Sequence, residues 1–283
     1  MSEFTFCSVF SIDEALMKLA QEPGACVVAG GTDVTLRIRE GRQRPGLLLD
    51  ISRIAELQGI REERGYIHIG ATTTLAAIAS SELLAAKAPA LYEAANRFAD
   101  PNTRNRATIG GNIVNASPGA DTPPPLCALG AEVLLRSPKG TRCLPVWEYL
   151  LGPNRTALLP GELVLGVRFK PCPHSAFIKI GLRKAMAISV ETAAVALEKD
   201  ENGVITACGI AFGALGPKAL RAWNTEKALL NKRPSNAVLA AAVAAVGTDI
   251  QPRDGLRGTK EYRYSTAGVI FERAFLAAYH SSI

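Results

Sequence analysis

Two glycine pairs, Ala29-Gly30-Gly31-Thr32-Asp33 and Ala107-Thr108-Ile109-Gly110-Gly111-Asn112, carry the residue types that grip an anion. Adjacent glycines let consecutive backbone N–H groups turn outward and approach a phosphate closely, and a flanking Thr hydroxyl adds a donor. One such pair alone reads as readily as an ordinary tight turn. Two in one chain, each with Thr and an Asx side chain, meet the requirement of a diphosphate held between two loops.

No competing chemistry stands out. Six cysteines, at positions 7, 26, 127, 143, 172 and 208, occur singly and without C-x-x-C spacing. They read as small buried apolar groups in a reducing compartment. His68, His174 and His280 are equally scattered, so no zinc or iron-sulfur site is expected on this chain. His68 shares a strand face with Tyr66 and has no neighbouring acid–base partner, which makes it a half-exposed sheet residue. No catalytic side chain is assigned.

Composition narrows the class. With 48% apolar and 20% charged residues the chain reads as a soluble globular protein, and no segment approaches the roughly 18 apolar residues a membrane span needs. Met1-Ser2-Glu3-Phe4-Thr5-Phe6 shows no basic leader before an apolar run, so a cytoplasmic location is expected. The net charge of +6 is spread along the chain and aromatics are only 6%, which argues against a nucleic-acid surface. A partly basic surface suits an anionic cofactor or an acidic partner.

The elements that must position the glycine pairs follow from pattern. Ser11 and Glu14 have capping-box spacing before Ile12, Ala15, Leu16 and Leu19, which predicts a helix ending near Pro23-Gly24. Cys26-Val27-Val28-Ala29 and Leu47-Leu48-Leu49-Asp50-Ile51 read as buried strands of a β-α-β-like unit. Arg61 to Gly65 reads as a charged turn before a strand at Tyr66–Gly70, and residues 72–99 as Ala/Leu-rich helices closing on Phe98 and Ala99. The stretch from Ser117 through Pro123-Pro124-Pro125 is expected to be a loop, because successive prolines remove donors and fix φ. Residues 132–145 read as a hairpin, Trp147 and Tyr149 as packing a short helix, and 162–169 as a strand. Past a boundary at Lys170–Pro173, runs near 177–183, 188–198 and 204–212 predict an antiparallel meander, and 218–231, 235–247 and 259–280 predict helices packed on it.

Taken together, these residues resemble, end to end, the FAD-binding medium subunit of the molybdenum hydroxylases, the xanthine, carbon monoxide and nicotinate dehydrogenase type. The resemblance is carried by Val28-Ala29-Gly30-Gly31-Thr32-Asp33, by Arg104-Asn105 with Ala107 to Asn112, and by Ala116-Ser117-Pro118 leading to Asp121. Lys179, Arg183, Arg257-Gly258 and Glu261-Tyr262-Arg263 also fit. It implies an α+β chain with two α/β FAD-binding subdomains of the vanillyl-alcohol-oxidase (PCMH) type, residues 1–57 and 58–173. A smaller α+β domain, residues 174–283, with a three-stranded antiparallel sheet and helices, would follow.

The resemblance also implies FAD as cofactor. Carried over by position, Val27, Val28, Ala29, Gly30, Gly31, Thr32, Asp33 and Val34 would wrap the diphosphate, with Thr108, Gly111 and Asn112 against it from the second loop. Phe98 and Ala99 would line the dinucleotide, and Val164 would give an apolar backbone contact near the flavin. Asp121 would accept from ribityl or ribose hydroxyls, and Lys179 would stand beside the isoalloxazine, where a cation raises electron affinity. The implied role is electron relay: a small partner subunit holds iron-sulfur clusters, a large one holds the molybdenum cofactor, and FAD passes electrons to NAD+ or another acceptor. A xanthine dehydrogenase-like enzyme built as a dimer of heterotrimers is the expected assembly. A free-standing FAD-dependent reductase and a non-redox scaffold are the rival readings. Ala187 stands where many relatives carry Asp, and the cysteine-bearing insertion of the benzoyl-CoA reductase type is missing.

Overall fold

The computed structural model describes residues 4–183 and 186–281. Its first lobe holds β1 (Thr5–Ser8), α1 (Ile12–Gln21), β2 (Cys26–Val28), α2 (Val34–Arg39) and β3 (Leu47–Asp50). The strands form a parallel sheet in the order β1-β3-β2. β1 is a strand that periodicity did not reveal, because only four residues pair and their own side chains stay largely outside the core. Ser11 caps α1 by accepting from Glu14 N, and Glu14 returns to accept from Phe10 N at 3.0 Å. Ala15, Leu16 and Leu19 bury against Leu49, Ile51 and Leu163. Leu163 belongs to the next lobe, so one small core already spans both.

The second lobe starts with the hairpin β4 (Ile60–Glu63) and β5 (Tyr66–Gly70). The stretch Arg61–Glu63, expected as a turn, is therefore a strand, and only Arg64 and Gly65, both at positive φ, make the bend. Helices α3 (Leu75–Ala79), α4 (Glu82–Lys87), α5 (Pro89–Asn96), α6 (Pro101–Arg104), α7 (Ile109–Asn115) and α8 (Pro123–Ala128) follow. Pro123, Pro124 and Pro125 do not interrupt the chain as a loop but form the first turn of α8. The first helical N–H groups have no intrahelical acceptor, so proline loses little there.

The lobe continues with β6 (Glu132–Ser137), β7 (Gly140–Pro145), α9 (Val146–Tyr149), the ribbon β8 (Leu150–Gly152) and β9 (Arg155–Thr156), and β10 (Leu163–Phe169). β10 is the middle strand of an antiparallel sheet ordered β4-β5-β10-β6-β7. A bulge separates Val164 from Gly166, and a Cβ at Gly166 would lie 2.2 Å from Ile69 O, so the central crossing needs glycine.

The third unit comprises β11 (Ser175–Gly181), β12 (Ser189–Lys199), β13 (Ile205–Gly213), β14 (Leu220–Arg221), α10 (Trp223–Leu229), α11 (Asn236–Asp249) and α12 (Lys260–Tyr279). The sheet has four strands rather than three, because residues 220–221, expected at the start of a helix, pair with Phe212 and Ala211 instead. One face carries Phe177, Ala194, Ala196 and Ala211 into the core of the second lobe. The other packs Ala193, Val195, Leu197 and Phe212 on Ile270, Phe271 and Phe275 of α12.

Candidate functional site

The first glycine pair sits where β2 runs out at the C-terminal edge of the parallel sheet. Gly31 has φ +72°, which a side chain would strain. Gly30 answers a different need: a Cβ there would lie 1.8 Å from Arg106 O. Arg106 Nε in turn donates to Gly30 O at 3.2 Å. The two glycine motifs, far apart in sequence, are thus in direct contact.

Their donors differ. The backbone N–H groups of Gly30, Gly31, Thr32 and Asp33 meet no protein acceptor among the described residues. A run of unpaired backbone donors on the wall of a groove is the kind of feature that binds an anion. The second pair, expected as another donor-rich turn, is the first turn of α7, and its donors are spent. Thr108 caps the helix by accepting from Gly111 N at 3.1 Å, while Ile109 N goes to Thr73 O and Gly110 N to Ala71 O. A Cβ at Gly110 would come within 2.7 Å of Ala71 O, so this glycine exists for close packing. Asn112, on the groove wall, accepts from the buried Thr122 hydroxyl at 2.6 Å, which fixes its carboxamide.

Between the motifs lies a groove of about 500 Å³. Its walls include Val27, Val28, Ala29, Gly30, Gly31, Thr32, Asp33 and Val34 on one side, Thr108, Gly111 and Asn112 on the other, and Phe98 and Val164 as apolar surface. Sequence reasoning missed Arg37, Asn115 and the strip Leu158–Leu163, which also face it. The strip had one local signal, Pro160-Gly161 before a strand, and Gly161 is at φ +76°. Glu162 anchors the strip: it takes Arg142 Nε and Nη2 at 2.7 Å each and Leu159 N at 2.8 Å. The Arg142 hydrogen bonds hold its carboxyl below the usual range.

Three other expected site residues lie outside that lining. Ala99, at φ +41°, directly follows Phe98, whose carbonyl is held by Arg104 at 2.7 Å. Asp121 and Lys179 form a buried pair, Nζ to Oδ2 at 2.6 Å, with Ser189 donating to the other carboxylate oxygen. Lys179 also donates to Arg97 O at 3.1 Å, one residue from Phe98. Burial pushes the Asp121 carboxyl up, opposed by the Lys179 charge and by hydrogen bonds from Lys179 and Ser189. His68 is half-buried on β5 and pairs edge-on with Tyr66, away from the groove. Among the described residues no cluster of His, Cys, Asp or Glu suits a metal, the cysteines are free thiols, and no helix is long and apolar enough to cross a membrane.

Unsatisfied backbone donors at one point along a largely apolar cleft suit a ligand with an anionic linker between flat groups, which is the shape of a dinucleotide. Comparison with known proteins agrees. Residues 2–171 match the family described as FAD binding domain in molybdopterin dehydrogenase, and residues 176–278 match the CO dehydrogenase flavoprotein C-terminal domain. The chain is 33% identical over 258 residues to the xanthine dehydrogenase FAD-binding subunit of Escherichia coli O157:H7, covering 89% of this chain and 88% of that one. It is 35% identical to the carbon monoxide dehydrogenase medium chain of Hydrogenophaga pseudoflava, covering 98% and 97%. A solved carbon monoxide dehydrogenase structure from the same organism superposes with a TM-score of 0.92 at 34% identity, covering 98% of this chain and 97% of that one.

Proposed function

The chain belongs to the FAD-binding subunits of the molybdopterin dehydrogenases, and from that premise we propose that it is the electron-exit subunit of a multi-subunit molybdenum hydroxylase. In this reading a small iron-sulfur subunit delivers electrons to FAD on this chain, and a large molybdenum-cofactor subunit binds and hydroxylates the substrate. Bound here, FAD would supply the redox chemistry, one-electron exchange with the clusters and two-electron exchange with NAD+ or another acceptor.

The chain's own residues bind, orient and shield. The N–H groups of Gly30 to Asp33 take the diphosphate, and Asn112 and the face of α7 close on it from the second lobe. Phe98, Val164 and the Leu158–Leu163 strip exclude water from the length of the cofactor. Asp121 and Lys179, paired outside the groove lining and tied to Arg97 O beside Phe98, would bias the flavin from there with FAD bound. No side chain is needed as acid or base for hydride transfer, and the carboxylates that line the groove, Asp33 and Glu162, are each engaged by an arginine, Arg37 and Arg142. The unpaired N–H run at Gly30–Asp33, pressed against the second lobe, carries this reading.

For the substrate we take the xanthine dehydrogenase type, which the likeness to the E. coli subunit supports, and for the acceptor we take NAD+. The experiment is to co-purify the chain from its native host and identify its companions and cofactors. The purified complex is then offered xanthine, nicotinate or CO. FAD bleaching by xanthine with NAD+ reduction is expected. Bleaching by CO or nicotinate alone would reassign the substrate, and a colourless chain without partners would end the relay reading in favour of the scaffold. Isolated chain turning over a substrate by itself would favour the free-standing reductase.

A further inference from the structure

Among the side chains that link the two lobes at the groove, Arg37 makes the widest set of contacts. Arg37, in the last turn of α2, pairs with Asp33 at 3.3 Å and donates to Asn154 Oδ1 at 2.8 Å. It also donates to Asn115 Oδ1, and Asn115 Nδ2 donates back to Asp33 Oδ2 at 2.7 Å. Asp33 and Arg37 belong to the first lobe, Asn115 to the end of α7 and Asn154 to the β8–β9 turn of the second. Asn154 N is itself fixed to Ala116 O at 3.0 Å, so the far anchor is rigid. The guanidinium lines the groove beside the unpaired N–H groups.

We propose that Arg37 is a strap that holds the two lobes closed at the diphosphate end and so sets how slowly the dinucleotide leaves. The proposal rests on the FAD reading above. The guanidinium offers Nε and Nη2 as separate donors, here to Asp33 and to the two carboxamides, a spread that the single nitrogen of an ammonium lacks. An exposed ion pair between Arg37 and Asp33 alone contributes little. The cross-lobe carboxamides are what make the network a closure.

The test is the rate of FAD release from the protein as it purifies, alone or with co-purifying subunits, followed by the rise in flavin fluorescence after dilution. Arg37→Ala should release FAD about tenfold faster, the factor lost with one hydrogen-bonded charge across the mouth. Arg37→Lys should release nearly as fast as Arg37→Ala, and Asn154→Gly, which keeps the positive φ but removes the far anchor, should fall between. Any fall in the thermal midpoint of the flavin-free variants should be too small to account for the faster release. Wild-type release from Arg37→Lys would show that charge alone matters and overturn the strap, as would unchanged release from Arg37→Ala. A lowered flavin-free midpoint that accounts for the faster release would also overturn it. A wild-type protein that never holds FAD would instead overturn the reading of the groove.

Discussion

The carbonyl of Arg106 fills the space where a side chain on Gly30 would begin: a Cβ on the glycine would lie 1.8 Å from that oxygen. This contact is backbone against backbone, so no rotamer change relieves it. Gly30→Ala should therefore separate the lobes, with a cost of about 3 kcal/mol or more from overpacking. Denaturant melts should show the loss and the purified variant should carry less flavin. A variant as stable and as yellow as wild type would mean the loops do not meet.

Glu162→Gln should loosen the groove wall, because Glu162 holds Leu159 N and both faces of the Arg142 fork. Arg142 is partly exposed, so the loss is about 1 kcal/mol. The folded-state pKa of Glu162 lies below its unfolded value, so its stabilisation is complete above the unfolded pKa of about 4.3 and disappears as pH falls through the folded value. Melts of wild type and variant should differ at neutral pH and converge in acid. A difference that persists unchanged in acid contradicts the assignment.

The Asp121–Lys179 pair has the opposite pH sign. Lys179→Met would strand a buried carboxylate, at about 3–5 kcal/mol. With its folded pKa raised, Asp121 gives most stability below its unfolded pKa and loses it as pH rises through the folded one. The single variant should thus be weakest near neutral pH and recover on acidification. The double variant Asp121→Asn with Lys179→Met should regain most of the loss at neutral pH, and a strictly additive double-mutant cycle would rule out the coupling.

Thr108→Ala should remove the cap on α7, leaving Gly111 N without its acceptor, at about 1 kcal/mol. Thr108→Ser should restore it. Equal melting of Thr108→Ala and wild type would place the stability of that turn elsewhere.

The parts of this fold that could be read from sequence are those with a local cause. Ser11 and Glu14 announce α1, and the apolar run before Gly30 announces β2. The family motif carried the rest of the first loop. What stayed hidden depends on partners distant in the chain. Nothing near Gly110 shows that its N–H is claimed by Ala71 O, nor near Arg37 that Asn154 awaits it, nor near Asp121 that Lys179 neutralises it. The prolines of α8 and the strand at residues 220–221 misled for a related reason: local propensity was overridden by position, at a helix start in one case and a sheet edge in the other.

The central claim is that four backbone donors, Gly30 through Asp33, bind the diphosphate of FAD. A crystal structure of the flavin-loaded protein tests it directly. The expected result is phosphate oxygens within about 3 Å of those amide nitrogens, with α7 facing them across the groove. Diphosphate density seated elsewhere, with these four N–H groups still unpartnered, would contradict it.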